Sequence, residues 1–228
     1  MKYYLLSGDF DQAGRTPQSN GIIGEYNFYW PNALYRISSS RKKVEEVKLP
    51  EGIKLHYRAK FTDMLILSII SFPFVVCSKK FFAVLQQFDL PECNTQSIKV
   101  VKRSREENYV FSYTNHIAYE ILDFKQTQFA WESEHRGRYE LLDINSAKEY
   151  IHLHEDSSNS FIRIVDSPIL RSFEGQADLI RLPQCCLIHR YLVSERLIEK
   201  LVSEQLTGFK FELFNSKILD RIPASRLL

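Results

Sequence analysis

An internal duplication constrains the fold of this chain more than any other feature of its sequence. The stretch "TDMLILSIISFPFVVCSKKFFAVL" (62–85) matches "ADLIRLPQCCLIHRYLVSERLIEKL" (177–201) with one inserted residue. The matched pairs are Asp63 with Asp178, Leu67 with Leu182, Ser78 with Ser194, Lys80 with Arg196, and Leu85 with Leu201. Two copies of this length do not form a solenoid, so we expect two related α/β modules that share a sheet or pack face to face.

Each copy predicts a strand that runs into a helix capped by serine. Ser78 and Ser194 stand at the N-cap positions, and apolar residues follow at helical spacing. These residues are Phe81, Phe82, Leu85 and Phe88 in the first copy, and Leu197, Ile198, Leu201 and Val202 in the second. Gly208 is the predicted C′ residue of the second helix, and "FKFELF" after it alternates like a half-buried strand. Capping explains both serines better than nucleophilic catalysis, because neither lies in a G-x-S-x-G elbow.

The whole chain predicts an α+β fold, with mixed or antiparallel sheets and packed helices, in a single compact domain (1–228). The predicted parts are an N-terminal β-rich part (1–58), a first repeat unit (59–107), middle strands and loops (108–170) and a second repeat unit (171–228). In the middle part, "YVFSYT", "YEILDF" and "FIRIV" are predicted strands, and 146–150 is a predicted short helix.

Composition limits the classes of partner. Of the 228 residues, 30 are Lys or Arg and 28 are Asp or Glu, so a formal charge of +2 provides no global attraction for nucleic acid or an anionic membrane. The most apolar run, 64–76, is too short for a membrane helix and contains Pro73. The four cysteines form no CxxC pair. We therefore expect a cytoplasmic protein with buried free thiols and no cofactor.

Three local patterns offer chemistry besides scaffolding. His152 and His154 would point to one side of a strand and, with Glu155 or Asp156, start a metal site, although no second ligand cluster is visible. Cys77 at a helix start could be a reactive thiol, but Val193 at the equivalent position favours burial.

Basic clusters at 41–43 and 99–107 could contact phosphates. The rings of Tyr109, Phe111 and Tyr113 would then stack on bases. Glu106 and Glu107 follow the second cluster at once, which favours a solvated loop.

Several segments together resemble a known family. They are "PFVVCSKKFFAVLQQFDLPECNTQSIKVV", then "YVFSYTNHIAYEILDF" with its Leu122-Asp123 pair, and "YLVSERLIEKLVSEQLTGFKFE" near the end. This pattern is similar to a bacterial immunity-protein family of polymorphic toxin systems, formerly catalogued only as a domain of unknown function. The resemblance covers roughly 63–213 and departs at "FKQTQF", where a serine is expected soon after the Leu-Asp pair.

The resemblance implies a non-enzymatic immunity protein that binds and neutralises a cognate toxin protein, and it brings no catalytic or metal-binding residues. The candidate contacts, which would suit a nuclease toxin if acidic residues mimic phosphate, are Trp131, Glu132, Glu134 and Glu140. One alternative is an enzyme with a cryptic, metal-dependent hydrolase site at His152 and His154. Another is a nucleic-acid-binding module that uses Lys99, Lys102, Arg103 and Arg105. The sequence leaves the oligomeric state open.

Overall fold

The computed structural model describes residues 2–15, 17–26, 48–67, 74–114, 118–132, 139–156, 162–165, 177–182 and 191–214. The helices are α1 (Phe10–Ala13), α2 (Lys79–Leu85), α3 (Ala147–Asp156) and α4 (Glu195–Ser203), and Tyr119–Ile121 forms a 3₁₀ turn. The strands are β1 (Tyr3–Gly8), β2 (Ser19–Ile23), β3 (Gly52–Leu55), β4 (Phe74–Ser78), β5 (Cys93–Lys102), β6 (Arg105–Thr114), β7 (Phe129–Glu132), β8 (Tyr139–Leu142), β9 (Ile162–Ile164), β10 (Leu179–Arg181), β11 (Tyr191–Ser194) and β12 (Phe209–Leu213).

The strands form three sheets with the orders β2-β3-β5-β6-β4, β10-β11-β1-β12 and β8-β7-β9. Strands β3 and β5 pair in parallel and the other named pairs are antiparallel. The fold is therefore α+β with mixed sheets, as predicted.

A shared core lies between the two larger sheets. In β11 the side chains alternate between two clusters, since Leu192 packs with the three-stranded sheet while Val193 packs with helices α2 and α4. All four residues of β11 are buried because both faces of this sheet are covered. The helix side of the core joins both repeats: Cys77, Phe81, Val84, Leu85, Val193, Leu197, Leu201, Leu206 and Phe209.

The predicted serine caps are confirmed in both repeats. The hydroxyl of Ser78 accepts from the Phe81 N–H at 3.1 Å, and the hydroxyl of Ser194 accepts from the Leu197 N–H at 3.2 Å. Each hydroxyl also donates to an aspartate, Ser78 to Asp63 at 2.6 Å and Ser194 to Asp178 at 2.5 Å. Each hydroxyl thus uses one lone pair for the cap and its proton for the aspartate, so both functions serve the architecture of the repeat.

The start of the chain completes the second repeat. Strand β6 lies between β4 and β5, and β1 lies in the same way between β11 and β12. Tyr109 on β6 donates to the carbonyl of Thr62 at 2.8 Å, and Tyr3 on β1 donates to the carbonyl of Ala177 at 2.9 Å. Because both acceptors immediately precede the matched aspartates, β1 and β6 are equivalent strands reached from opposite ends of the repeat.

The two aspartates also link the repeats to each other. Asp63, before the first helix, accepts from the backbone N–H and hydroxyl of Thr207, which follows the second helix, at 2.9 and 3.0 Å. Asp178, before the second helix, accepts from the N–H of Asp89, which follows the first helix, at 3.0 Å. The contacts are reciprocal, as in a two-fold symmetric dimer.

The second helix ends differently from the prediction. Its C-cap is Glu204, and Gln205 takes the C′ position with φ 54°. The N–H groups of Leu206 and Gln205 donate to the carbonyls of Leu201 and Val202, which completes a Schellman motif without glycine. Gly208 lies three residues further on, with φ 94°, and a Cβ there would lie 2.2 Å from the carbonyl oxygen of Met64. Glycine is therefore needed for the close approach of the two repeats.

Other local predictions were wrong. "YEILDF" contains the 3₁₀ turn Tyr119–Ile121 rather than a strand. The N-terminal part contains β1, β2 and β3 and also the short helix α1, which Asp9 caps through the N–H groups of Asp11 and Gln12. Val202 is 59% exposed and lies outside the core stripe, because its position on the helix faces solvent.

Candidate functional site

The predicted partner-contact residues belong to the hairpin β7–β8. Trp131 pairs directly with Glu140, and the backbone of Glu132 pairs with Tyr139. Glu134 lies outside the described residues. The structure thus brings Trp131 and Glu140 together towards the end of the hairpin that lies away from the Phe129–Leu142 pair, in which Phe129 is buried and Leu142 half-buried.

Alternation along β7 explains why Trp131 reaches the surface. Phe129 and Trp131 are two residues apart and share one face of the sheet. Phe129 is buried in the core, whereas Trp131 is only half-buried. The core therefore ends between these two rings.

A cross-strand hydrogen bond fixes the indole ring. Trp131 Nε1 donates to Glu140 Oε2 at 3.3 Å, and Glu140 itself is exposed. On the opposite face of β8, Leu141 is 57% exposed. Tryptophan is one of the residue types that dominate binding energy at interfaces, whereas leucine is under-represented there, so Trp131 is the candidate anchor of this hairpin. Leu141 was not identified from the sequence, where its position between Glu140 and Leu142 was the available signal.

Helix α3 packs against the buried end of the hairpin, where Tyr150 contacts Phe129. Ser146 accepts from the Glu149 N–H at 3.2 Å, and Glu149 reaches back to the Asn145 N–H at 2.7 Å, a variant of the capping box. Tyr150 is buried between Phe124 and Phe129, with ring centroids 6.2 and 6.1 Å away. These contacts make the base of the hairpin a rigid platform.

The segment that carries the hairpin is acidic. Residues 118–156 include nine Asp or Glu and four Lys or Arg, a formal charge of −5 in a chain whose total is +2. Glu120, Glu140, Asp143 and Glu149 are exposed. This segment therefore favours a basic partner, in contrast to the rest of the chain.

The predicted histidine site is wrong in its geometry. The backbone of both His152 and His154 lies in helix α3 and not in a strand, so the strand alternation on which this site was predicted does not apply. The helical period wins because Ala147, Tyr150 and Ile151 form one apolar face against the core. Among the described residues, no group of three or more His, Cys, Asp or Glu is placed to hold a metal ion.

The two repeats hold their polar groups in structural contacts. Cys77 is fully buried, and burial together with the nearby Asp63 charge raises the pKa of its thiol, which opposes nucleophilic reactivity. Burial alone would raise the pKa of Asp178, but hydrogen bonds from Arg196, Ser194 and the Asp89 backbone outweigh it and lower that pKa. Sequence matching found Asp63 and Asp178 but did not reveal what they bind.

The predicted nucleic-acid surface loses its stacking residues. Tyr109, Phe111 and Tyr113 are buried on β6. In the adjoining basic cluster, Lys99 pairs with Glu106 at 2.9 Å and Arg105 pairs with Glu107. The cluster at 41–43 lies outside the described residues.

Comparison with known proteins adds no relative, since neither the protein-family models nor the curated proteins searched gave a match. Within the described part of the chain, every helix is too short or too polar to cross a membrane.

Proposed function

We propose that the chain is a non-enzymatic immunity protein that binds a cognate toxin domain through the hairpin β7–β8 and so neutralises it. The observation that carries this proposal is that the polar residues of the two repeats are used in structural contacts, whereas the hairpin β7–β8 presents side chains at the surface. The serines and aspartates of the repeats are engaged in the scaffold, whereas Trp131, Glu140 and Leu141 project from an acidic segment.

The negative charge of residues 118–156 favours a toxin with a basic surface, such as one that acts on nucleic acid. A toxin that acts on nucleic acid has a basic cleft, and exposed carboxylates can occupy the positions of phosphates in it. Glu140 supplies one such carboxylate beside an indole ring that can fill an apolar pocket. Removal of a buried interface tryptophan commonly costs 2 kcal/mol or more of binding free energy, about a 30-fold rise in Kd.

The proposal is tested by co-expression with the toxin domain encoded beside this chain. We expect the wild-type chain to protect cells and to co-purify with the toxin. Trp131→Ala and Glu140→Lys should weaken protection, while Glu212→Lys on the exposed face of β12 should leave it intact. Continued killing with the wild-type chain and no co-purified complex would sink the proposal.

A further inference from the structure

A buried arginine stands at the outer edge of the second repeat sheet. Arg181 ends the edge strand β10, pairs with Tyr191 of β11 and is only 9% exposed. Its Nη1 donates to the Thr114 carbonyl at 2.5 Å, and its own carbonyl accepts from the Ala118 N–H at 2.9 Å. The guanidinium therefore donates a hydrogen bond to a neutral carbonyl through Nη1, and this contact does not neutralise its positive charge.

The charge of Arg181 has no counter-charge among the residues that the structure describes. No described carboxylate forms an ion pair with it, and its Nε is buried without a hydrogen-bond partner. Burial lowers the pKa of Arg181, opposed by the phenols of Tyr191, Tyr119 and Tyr113. Phenols are neutral near pH 7, so they do not balance a cation there.

The duplicated scaffold does not itself need a cation at this position. Asp63 matches Asp178, so the residue three positions later is Ile66 in the first repeat and Arg181 in the second. The first repeat forms the same cap and aspartate contact with isoleucine there. A buried, unpaired charge is costly, which indicates that the second repeat has acquired a separate role for it.

We propose that Arg181 forms the centre of a binding site for a small oxyanion, a carboxylate or a phosphate group. Nη1 is occupied by Thr114, so the anion would bind at the Nε edge of the guanidinium. The guanidinium fork matches two oxygens of a carboxylate or phosphate. All three residues of β10 are buried, so the anion would reach the guanidinium through the 9% of Arg181 that stays exposed. This site is independent of the proposed toxin contact, because Arg181 and the hairpin lie in different sheets.

The test measures the melting temperature of the full chain in sodium phosphate, sodium acetate and sodium chloride at equal ionic strength. A ligand that binds only the folded state stabilises it in proportion to the logarithm of its concentration. At ten times Kd, phosphate or acetate should raise the wild-type melting temperature by about 3–6 °C above the chloride value. The arm with the larger rise identifies the class of anion.

Arg181→Ile is the matched variant, because it installs the residue of the first repeat. It should abolish the anion-dependent rise, whereas Arg58→Gln, at an exposed arginine, should retain it. Equal melting temperatures of the wild type in all three salts, or an undiminished rise in Arg181→Ile, would overturn the proposal. If Arg181→Ile does not fold, equilibrium dialysis of labelled phosphate and labelled acetate against the wild-type protein replaces the variant. Saturable binding of either anion, at one site per chain and resistant to chloride, supports the proposed site. The absence of such binding for both anions refutes the proposal.

Discussion

Replacement of Asp178 by alanine should destabilise the protein through both repeats at once. Asp178 is fully buried and accepts hydrogen bonds from the Ser194 hydroxyl, the Asp89 N–H and the Arg196 guanidinium. Without it, the first two donors lose their acceptor inside the protein, at about 1–3 kcal/mol each. The Arg196 side chain is largely exposed and becomes hydrated when Asp178 is removed, so it adds nothing to this loss of stability. The two unsatisfied donors together predict a loss of about 2–6 kcal/mol.

Urea unfolding followed by circular dichroism at 222 nm measures this loss. Asp123→Ala is a matched control, because Asp123 is half-buried and bonds only within its own turn, to the Lys125 N–H and the Gln126 side chain. The control should lose less than about 1 kcal/mol. Asp178→Asn keeps an acceptor for Ser194 and should fall between the two variants.

The reasoning would be refuted by a loss for Asp178→Ala no larger than that of Asp123→Ala. It would also be refuted if Asp178→Ala produced a two-step transition in which the first repeat unfolded normally. The reciprocal contacts require a single cooperative transition, since Asp178 contacts Asp89 after α2 as well as Arg196 on α4.

The remaining predictions concern the second repeat. Gly208→Ala should cost more than about 2 kcal/mol in the same urea assay, because it combines a positive φ with a Cβ against the Met64 carbonyl; a neutral effect would contradict the close approach. Gln205→Gly should add about 0.5–1 kcal/mol, because glycine adopts the C′ conformation without strain, and a loss would show that the Gln205 side chain has another role. Because the pKa of Asp178 is lowered in the folded state, its ionised form stabilises the fold at pH values above its ordinary pKa of about 3.9. This stabilisation is lost as the pH falls through the pKa of the folded state. Melting temperatures between about pH 5 and pH 2 should therefore fall less steeply for Asp178→Asn than for wild type, and parallel curves would count against this.

Local features of the fold could be predicted from the sequence. A serine before an apolar helical stripe forms a cap from nearby residues, so Ser78 and Ser194 were identified correctly. The alternation in "FKFELF" likewise predicted β12, where Phe209 is buried and Lys210 is exposed.

Long-range pairing could not be predicted in the same way. Nothing near Tyr3 reveals that β1 takes the place that β6 holds in the first repeat, since the equivalence rests on partners more than 170 residues away along the chain. His152 and His154 were misplaced because "YIHLH" alternates like a strand, whereas the cap at Ser146 and the packing of Tyr150 and Ile151 favour the helix.

The sequence named Trp131 and Glu140 as candidate contacts, and the structure places them side by side; their contact with a partner stays a prediction. Leu141 and Arg181 were not named, because exposure and the absence of a counter-charge are properties of the folded chain.

The dissociation constant of the purified complex with the adjacent toxin domain tests the central claim most directly. Glu140→Gln keeps an acceptor for the Trp131 indole and removes only the charge, and Glu212→Gln is its matched control on β12. We predict a Kd at least about tenfold higher for Glu140→Gln, more for Trp131→Ala, and no change for Glu212→Gln, with unchanged melting temperatures for the free Glu140→Gln and Glu212→Gln variants. Equal Kd values for the wild type and both hairpin variants, or no complex with the wild-type chain, would contradict the account.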